Sequence, residues 1–486
     1  MKTYMYKALG VLAVILMFTA CSVPSITNRS ANTHVPAAYH GPQDTTNTAR
    51  INWKEYFADP YLHALIDSAL SNNQELHITL QQLQIYKNDI SARKGEYLPS
   101  VTLGARSGVE KRARYTPLGA MEATTHIEPG KEMPGMEMPE PLPDFMIGAF
   151  ATWEVDIWRK LRNAKKAATM EYLASLEGRN FMVTNLVAEI ADAYYQLLAL
   201  DSELAIIQQN IRITRNVLQI VRYQKQATRA TELAVKRFEA QLLNIQGLQY
   251  DIQQEIIEAE NHINFLVGRF PQPVQRSSQD FNNLTPPAVH AGIPAQLLQN
   301  RPDIRQAELE LEAAKLDVKV ARAQFYPSLG ITAGVGYQAF NPSYLLRTPE
   351  SMLYSLAGDL VAPLVNRNAI KAGYRNANAR QLQAVIDYEQ TILRAYIEVV
   401  NQLSAIDNLA QSYDLKQQQV QVLNTSIDIS NDLFRSTRAD YMEVLMTQRD
   451  ALESKFQLIE LKKRQLTAIV TIYQALGGGW TRQSTQ

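Results

Sequence analysis

Between Asn180 and Val221 the apolar residues are Leu186, Ile190, Ala193, Leu197, Leu200, Leu204, Ile207, Ile211, Leu218 and Val221, stepping by four and three if Thr214 takes one slot. That spacing is the seam of a coiled-coil helix. It lies inside a stretch, Asp144 to Phe270, that contains no proline. A second proline-free stretch, Leu364 to Gln486, repeats the spacing at Ile392, Tyr396, Val399, Leu403, Ile406, Ala410, Tyr413, Val420, Ile427 and Phe434, interrupted by Gln417, Asn424 and Asn431. Two long helices are expected. About 60 helical residues make a rod of about 90 Å, which needs partners along its whole length.

Ahead of each rod the period changes. Asp59-Pro60 opens a helical pattern through Leu62, Leu65, Ile66, Leu70, Leu76, Ile78, Leu80 and Leu83, and it stops at Tyr97-Leu98-Pro99-Ser100. There Val101, Leu103, Ala105 and Val109 alternate with Thr102, Gly104, Arg106 and Gly108, the two-residue period of a strand. A second alternating run places Ile147, Ala149, Ala151, Trp153, Val155 and Ile157 on one face. A helix from Pro302 stops likewise at Phe325-Tyr326-Pro327-Ser328, followed by Leu329, Ile331, Ala333, Val335 and Tyr337, then by Met352, Tyr354, Leu356, Leu360 and Ala362 before Pro363.

The order helix, hairpin, long helix, turn, shorter helix therefore occurs twice. Pro99 is answered by Pro327 at an offset of 228, and Ala227-Thr228-Arg229-Ala230 by Ser436-Thr437-Arg438-Ala439 at an offset of 209. The expected organisation is a signal over 1–20, a tether over 21–50, a first repeat over 51–285 with its hairpin at about 98–157, a second over 286–480 with its hairpin at about 326–363, and a tail over 481–486. Four amphipathic strands of about ten residues are long enough to cross a bilayer when tilted. They are too few to close a barrel, which takes about eight, and open edges are not tolerated in lipid. Three chains pooling their strands would supply twelve; two hairpins on the surface of a soluble protein are the other reading.

Composition narrows the function. Forty-eight basic and 48 acidic residues give no net charge, hence no basic field for nucleic acid. Lys2 and Lys7 precede an apolar run from Ala8 to Met17, too short to span a membrane and shaped like a secretory signal. It ends in Phe18-Thr19-Ala20-Cys21, which resembles a bacterial lipobox, with Cys21, the single cysteine, as the acylated first residue of the mature chain. Ser22 after it is compatible with delivery to the outer membrane, and 22–50, rich in Ser, Thr, Asn and Pro, reads as an extended tether. The seven histidines lie far apart and no phosphate-cradling glycine loop is present. No enzyme chemistry and no cofactor beyond the lipid on Cys21 are expected.

Pro294-Ala295-Gln296-Leu297-Leu298, Arg301-Pro302-Asp303-Ile304-Arg305 and Ala307-Glu308 resemble the signature of TolC-type outer-membrane efflux proteins, in particular their lipoprotein branch. Trp153-Glu154-Val155-Asp156-Ile157-Trp158 and Asp59-Pro60 are similar to the same family. The resemblance implies a mostly α protein with a small β part: a trimer whose helical coiled-coil barrel continues a 12-stranded β-barrel, four strands per chain. It implies an outer-membrane duct that takes drugs, toxic small molecules or metal ions from an inner-membrane transporter through a periplasmic adaptor. An outer-membrane duct for one-step protein secretion, or a non-porous periplasmic coiled-coil lipoprotein, are the alternatives. Pro302 suits a first helical turn and Asp303 the positive helix end, so both read as scaffold.

By the same resemblance the turns at 227–230 and 436–439 form the periplasmic tip, where Arg438, Asp440 and Glu443 are the pore-gate candidates. Rings of carboxylates there would favour cations, although a solvated helix face is the simpler reading. Met446 stands where a typical member has a further Asp. In the loop Met121 to Met146, Met133, Met136 and Met138 are thioethers of the kind that suit soft cations such as Cu(I) or Ag(I), against the simpler reading of an extracellular loop.

Overall fold

The computed structural model describes residues 23–39, 45–124, 126–127, 136–137, 140–277, 281–436 and 438–480. Helices α1 (Pro60–Asn72) and α2 (Gln74–Tyr97) precede strands β1 (Ser100–Glu110) and β2 (Leu142–Val155), then α3 (Lys160–Gln226) and α4 (Glu232–Val267). The second half repeats this with α5 (Pro302–Ala323), β3 (Ser328–Ala339), β4 (Met352–Val361), α6 (Asn368–Arg435) and α7 (Tyr441–Ala475). Both rods are present, 67 residues in α3 and 68 in α6. Among the described residues no helix is long and apolar enough to cross a membrane.

The chain divides into two compact units, each drawing on both halves of the sequence. The first holds residues 85–172 and 310–384 and is built on one antiparallel sheet in the order β1-β2-β3-β4. The register puts the alternating residues on a common face: Leu103 pairs with Ala149, Ala149 with Val335, and Val335 with Tyr354. That face is apolar yet open, with Leu103 87%, Tyr354 80% and Leu356 79% exposed. The opposite face carries Thr102, Gly104, Gly148, Phe150, Gly334 and Ser355. β2 starts five residues before the expected Ile147, because Leu142–Met146 complete the ladder to β1, and it stops before Ile157.

The reason it stops is a helix cap. The Asp156 carboxylate accepts from the Leu161 and Arg162 backbone N–H groups (3.1 and 2.9 Å) and from Arg162 Nε (3.1 Å), which starts α3. Burial pushes the Asp156 carboxyl up, but these hydrogen bonds outweigh it and hold it below the usual carboxylate range. The flanking tryptophans clamp the two proline turns that end α2 and α5. Trp153 Nε1 donates to the Tyr97 carbonyl (3.1 Å), while Trp158 Nε1 donates to the Pro327 carbonyl (2.8 Å) and its ring stacks on Tyr326.

The second unit, residues 30–84, 173–309 and 385–486, is helical. The α3 seam is its core: Leu186, Ile190, Leu197, Ile207, Leu218 and Val221 are buried, and so is Thr214 in its slot. On α6 the seam is covered less; Val399, Tyr413 and Val420 are buried but Ala410 is exposed. The pattern after Asp59-Pro60 is two helices rather than one. Asn73 breaks it by accepting from Leu76 N (2.9 Å) and donating through Nδ2 to the Leu266 carbonyl (2.9 Å), and Ile78 and Leu80 beyond it are exposed.

The duplication extends to single contacts. Gly268 (φ +76°) and Gly477 (φ +87°), 209 residues apart, end α4 and α7 in the left-handed conformation. A Cβ on either would lie 2.4 Å from the Asn72 carbonyl oxygen or 2.6 Å from that of Asn300, and those asparagines are 228 residues apart. Arg301 occupies the place of Asn73: its Nη1 donates to the Ala475 carbonyl (2.9 Å) as Asn73 does to that of Leu266. Gly477 thus does more than end the last helix; it lets α7 close on the Asn300 backbone.

Residues 23–39 contain no helix or strand, as an extended tether would, but they are packed. Val23 and Ile26 lie against Val318, Phe325 and Tyr374 in the first unit. In the second, Asn32 N donates to Glu389 (2.8 Å) and Tyr39 stacks on Tyr396.

Candidate functional site

The two helix turns are built alike. Arg229 N donates to the Gln224 carbonyl and Arg438 N to that of Leu433, both at 2.8 Å and at the repeat offset of 209. Thr228 takes a φ of +59° in the first turn. The turns share one apolar core, in which Val217, Val221, Val235 and Phe238 pack with Val444, flanked by Phe434 and Tyr441. Arg237 Nη1 also reaches Met442 Sδ at 2.8 Å, tying one turn to the other. The family resemblance implied that both turns share one tip, but this contact was not foreseen, because Arg237 and Met442 belong to no motif.

The gate candidates are exposed. Thr231 caps α4 by accepting from Ala234 N (3.2 Å), whereas Asp440, at the matching position on α7, makes no side-chain cap bond. Its carboxylate is thus not committed to the helix. Glu443 follows in the first turn, exposed like Asp440 and Arg438, while Val444 beside it is fully buried. Acidic side chains are favoured at this helix end by the unsatisfied N–H groups. Met446, also exposed, stands on the same side. Over residues 222–239 the first turn carries five basic and two acidic residues; over 431–448 the second carries two and three. The first turn is braced by exposed ion pairs, Arg222 to Glu239 (2.7 Å), Lys236 to Glu239 (2.9 Å) and Lys225 to Glu232.

Arg301 is a polar node that sequence reasoning passed over in favour of Pro302 and Asp303. It is 4% exposed and forks onto Asp303 (3.0 and 2.7 Å), with further bonds to Glu398 (2.8 Å) and the Ala475 carbonyl. It joins α5, α6 and the end of α7, the work of a scaffold.

Cys21, Met133 and Met138 lie outside the described residues. Met136 falls in a two-residue strand paired with His126–Ile127, and Met146 lies within β2 rather than in the loop. Among the described residues no group of three or more His, Cys, Asp or Glu is placed to hold a metal ion.

The family model for outer membrane efflux proteins matches residues 65–269 and 293–478. The pyoverdine export outer membrane protein OpmQ of Pseudomonas aeruginosa is 28% identical over 88% of this chain and 87% of its own length. The cation efflux system protein CusC of Escherichia coli K12 is 25% identical over 96% and 98%, and the probable outer membrane lipoprotein SilC of Salmonella typhimurium 24% over 94% and 93%. Among solved structures, a membrane protein from Pseudomonas aeruginosa superimposes with a TM-score of 0.82 at 23% identity, covering 93% of this chain and 99% of that one. The open MtrE channel of Neisseria gonorrhoeae gives 0.80 at 21% identity, covering 95% and 99%. The chain belongs to the outer membrane efflux protein family and is an outer-membrane efflux channel protein with the family's mostly helical, four-stranded fold.

Proposed function

We propose that three copies pool their sheets into one 12-stranded barrel, forming the outer-membrane duct of a tripartite system that exports small solutes. The carrying observation is the sheet itself. Its outer strands β1 and β4 each pair on one side only among the described residues, while one face exposes Leu103, Tyr354 and Leu356. Apolar exposure suits lipid, but unpaired edges in lipid do not persist, so neighbouring copies must supply the missing ladders. The helices support the same assembly: Leu243, Tyr250 and Ile257 on α4, and Leu415, Val422 and Ile429 on α6, are exposed at seven-residue spacing and need partners.

The paired turns are the surface offered to a periplasmic adaptor and an inner-membrane transporter. The relatives OpmQ and CusC are named for the export of pyoverdine and of cations, both small solutes, which favours small-molecule cargo over secreted protein. Cys21 is read as the lipid-bearing residue that holds each chain to the membrane.

The test is mass measurement of the detergent-extracted protein followed by planar-bilayer recording. A trimer that conducts ions is expected. A monodisperse monomer, or a trimer without conductance, would overturn the reading.

A further inference from the structure

One large ring stands at mid-height on the opposite face of the sheet, among small residues, with Arg106 and Asp144 toward the loop end and Glu154 and Asp359 toward the helix end. Phe150 pairs across β2 with Thr102 on one side and Gly334 on the other. A Cβ built on Gly104, Gly148 or Gly334 would come within 3.6, 3.3 and 3.0 Å of its ring atoms. The ring therefore packs over three positions without side chains, one on each of β1, β2 and β3; an added Cβ at Gly148 would lie nearer still to the β3 backbone, 2.8 Å from the Val335 carbonyl oxygen, and one at Gly334 would meet Ser355 Oγ at the same 3.0 Å. Backbone conformation does not call for these glycines, since none of the three is among those with positive φ. Space does. The other large apolar residues of this face stand away from it, with Leu142, Met146 and Leu353 toward the loop end and Val361 at the helix end.

If the apolar face meets lipid, this face lines the lumen. We propose that Phe150, packed over its glycines, is a cargo-contact residue of the β-section, and that its three copies form one apolar level that selects for solutes carrying an aromatic group. The inference rests on the barrel reading above. An aromatic ring offers a stacking partner to an aromatic solute and a cation–π surface to a charged one. The surrounding glycine, threonine and serine offer neither. Packing over the glycines keeps the ring from standing across the bore, so contact is made without a plug.

The experiment uses the assembled protein in planar bilayers, with benzyltrimethylammonium or tetramethylammonium added from the side of the sheet loops. The benzyl cation is expected to block the current at lower concentration than the methyl cation. Phe150→Ala should weaken the benzyl block about three- to tenfold, the worth of one ring contact, and leave the methyl block unchanged. Gly334→Val takes up the space beside the ring and drives the ring into the lumen, so conductance should fall and should recover in Phe150→Ala/Gly334→Val. A wild-type channel that treats the two cations alike, or a benzyl block indifferent to Phe150→Ala, overturns the proposal.

Thiol labelling separates this failure from that of the barrel. A charged, membrane-impermeant maleimide should modify Phe150→Cys and spare Leu103→Cys. Labelling of Leu103→Cys but not Phe150→Cys would overturn the barrel reading itself. Labelled Phe150→Cys with an unaltered benzyl block in Phe150→Ala would overturn only the cargo contact.

Discussion

Arg301 holds three elements through one guanidinium, and its removal leaves Asp303 in a largely buried site without its counter-charge. Arg301→Ala should destabilise the protein by about 3 kcal/mol, and Arg301→Lys should recover little of it, because an ammonium cannot reproduce the forked geometry. Thermal unfolding in detergent reads both. The tip carboxylates should behave in the opposite way. Asp440→Asn with Glu443→Gln should lower cation preference in single-channel recordings while changing stability by less than about 1 kcal/mol, since both side chains are exposed. Selectivity equal to wild type would make them a solvated face and move the constriction elsewhere. Glu203 provides a pH test: burial among the helices, with the Glu255 and Glu460 carboxylates adding to it and Lys463 opposing, pushes it up to about 7. The fold prefers the protonated form, so the stability from this group is complete below about 4.5 and is lost as pH rises through about 7. Glu203→Gln should therefore raise the unfolding midpoint at pH 8 and leave it nearly unchanged at pH 4.

At the scale of elements, the heptad seam and the strand alternation were legible because each follows from one geometric period. Thr214 could be placed in the seam from its neighbours alone, and it is buried there. The break at Asn73 was not legible: Leu76 and Ile78 continue the helical spacing across it, and the break depends on a bond to Leu266 nearly two hundred residues away. For the same reason the node at Arg301 was read through its neighbours. A fork onto Asp303 is local, but its reach to Glu398 and Ala475 is tertiary. The exposure of Asp440 and Glu443 agreed with either reading of the tip, so the sequence could not choose between a gate and a solvated face. The close approach at Gly477 is likewise invisible in a run of three glycines. Gly477→Ala combines a positive φ with a Cβ 2.6 Å from the Asn300 carbonyl oxygen, so it should cost about 1–3 kcal/mol. Gly247→Ala is its control: no heavy atom lies within 4 Å of an added Cβ in the middle of α4, and the unfolding midpoint should not fall.

For the whole molecule, the anchor is the sharpest test. Cys21→Ser should yield an unacylated form released from membranes more readily, and mass spectrometry of the wild-type amino terminus should find lipid on Cys21. A free thiol there would remove the anchor without touching the duct.

The two hairpins of the sheet differ in one respect that bears on stoichiometry. The connection from β1 to β2 covers residues 111–141 and that from β3 to β4 residues 340–351, 31 residues against 12. The difference of 19 accounts for the whole change in repeat offset from 228 to 209, so from Pro99 to the end of α3 the two halves otherwise match in length. In the proposed trimer the body would repeat six times around the axis, while its outer mouth would carry three long loops and three short ones in alternation. Anything that recognises the mouth by its long loops, such as an antibody raised against intact cells, should saturate at three copies per channel; one directed at a feature common to both halves should saturate at six.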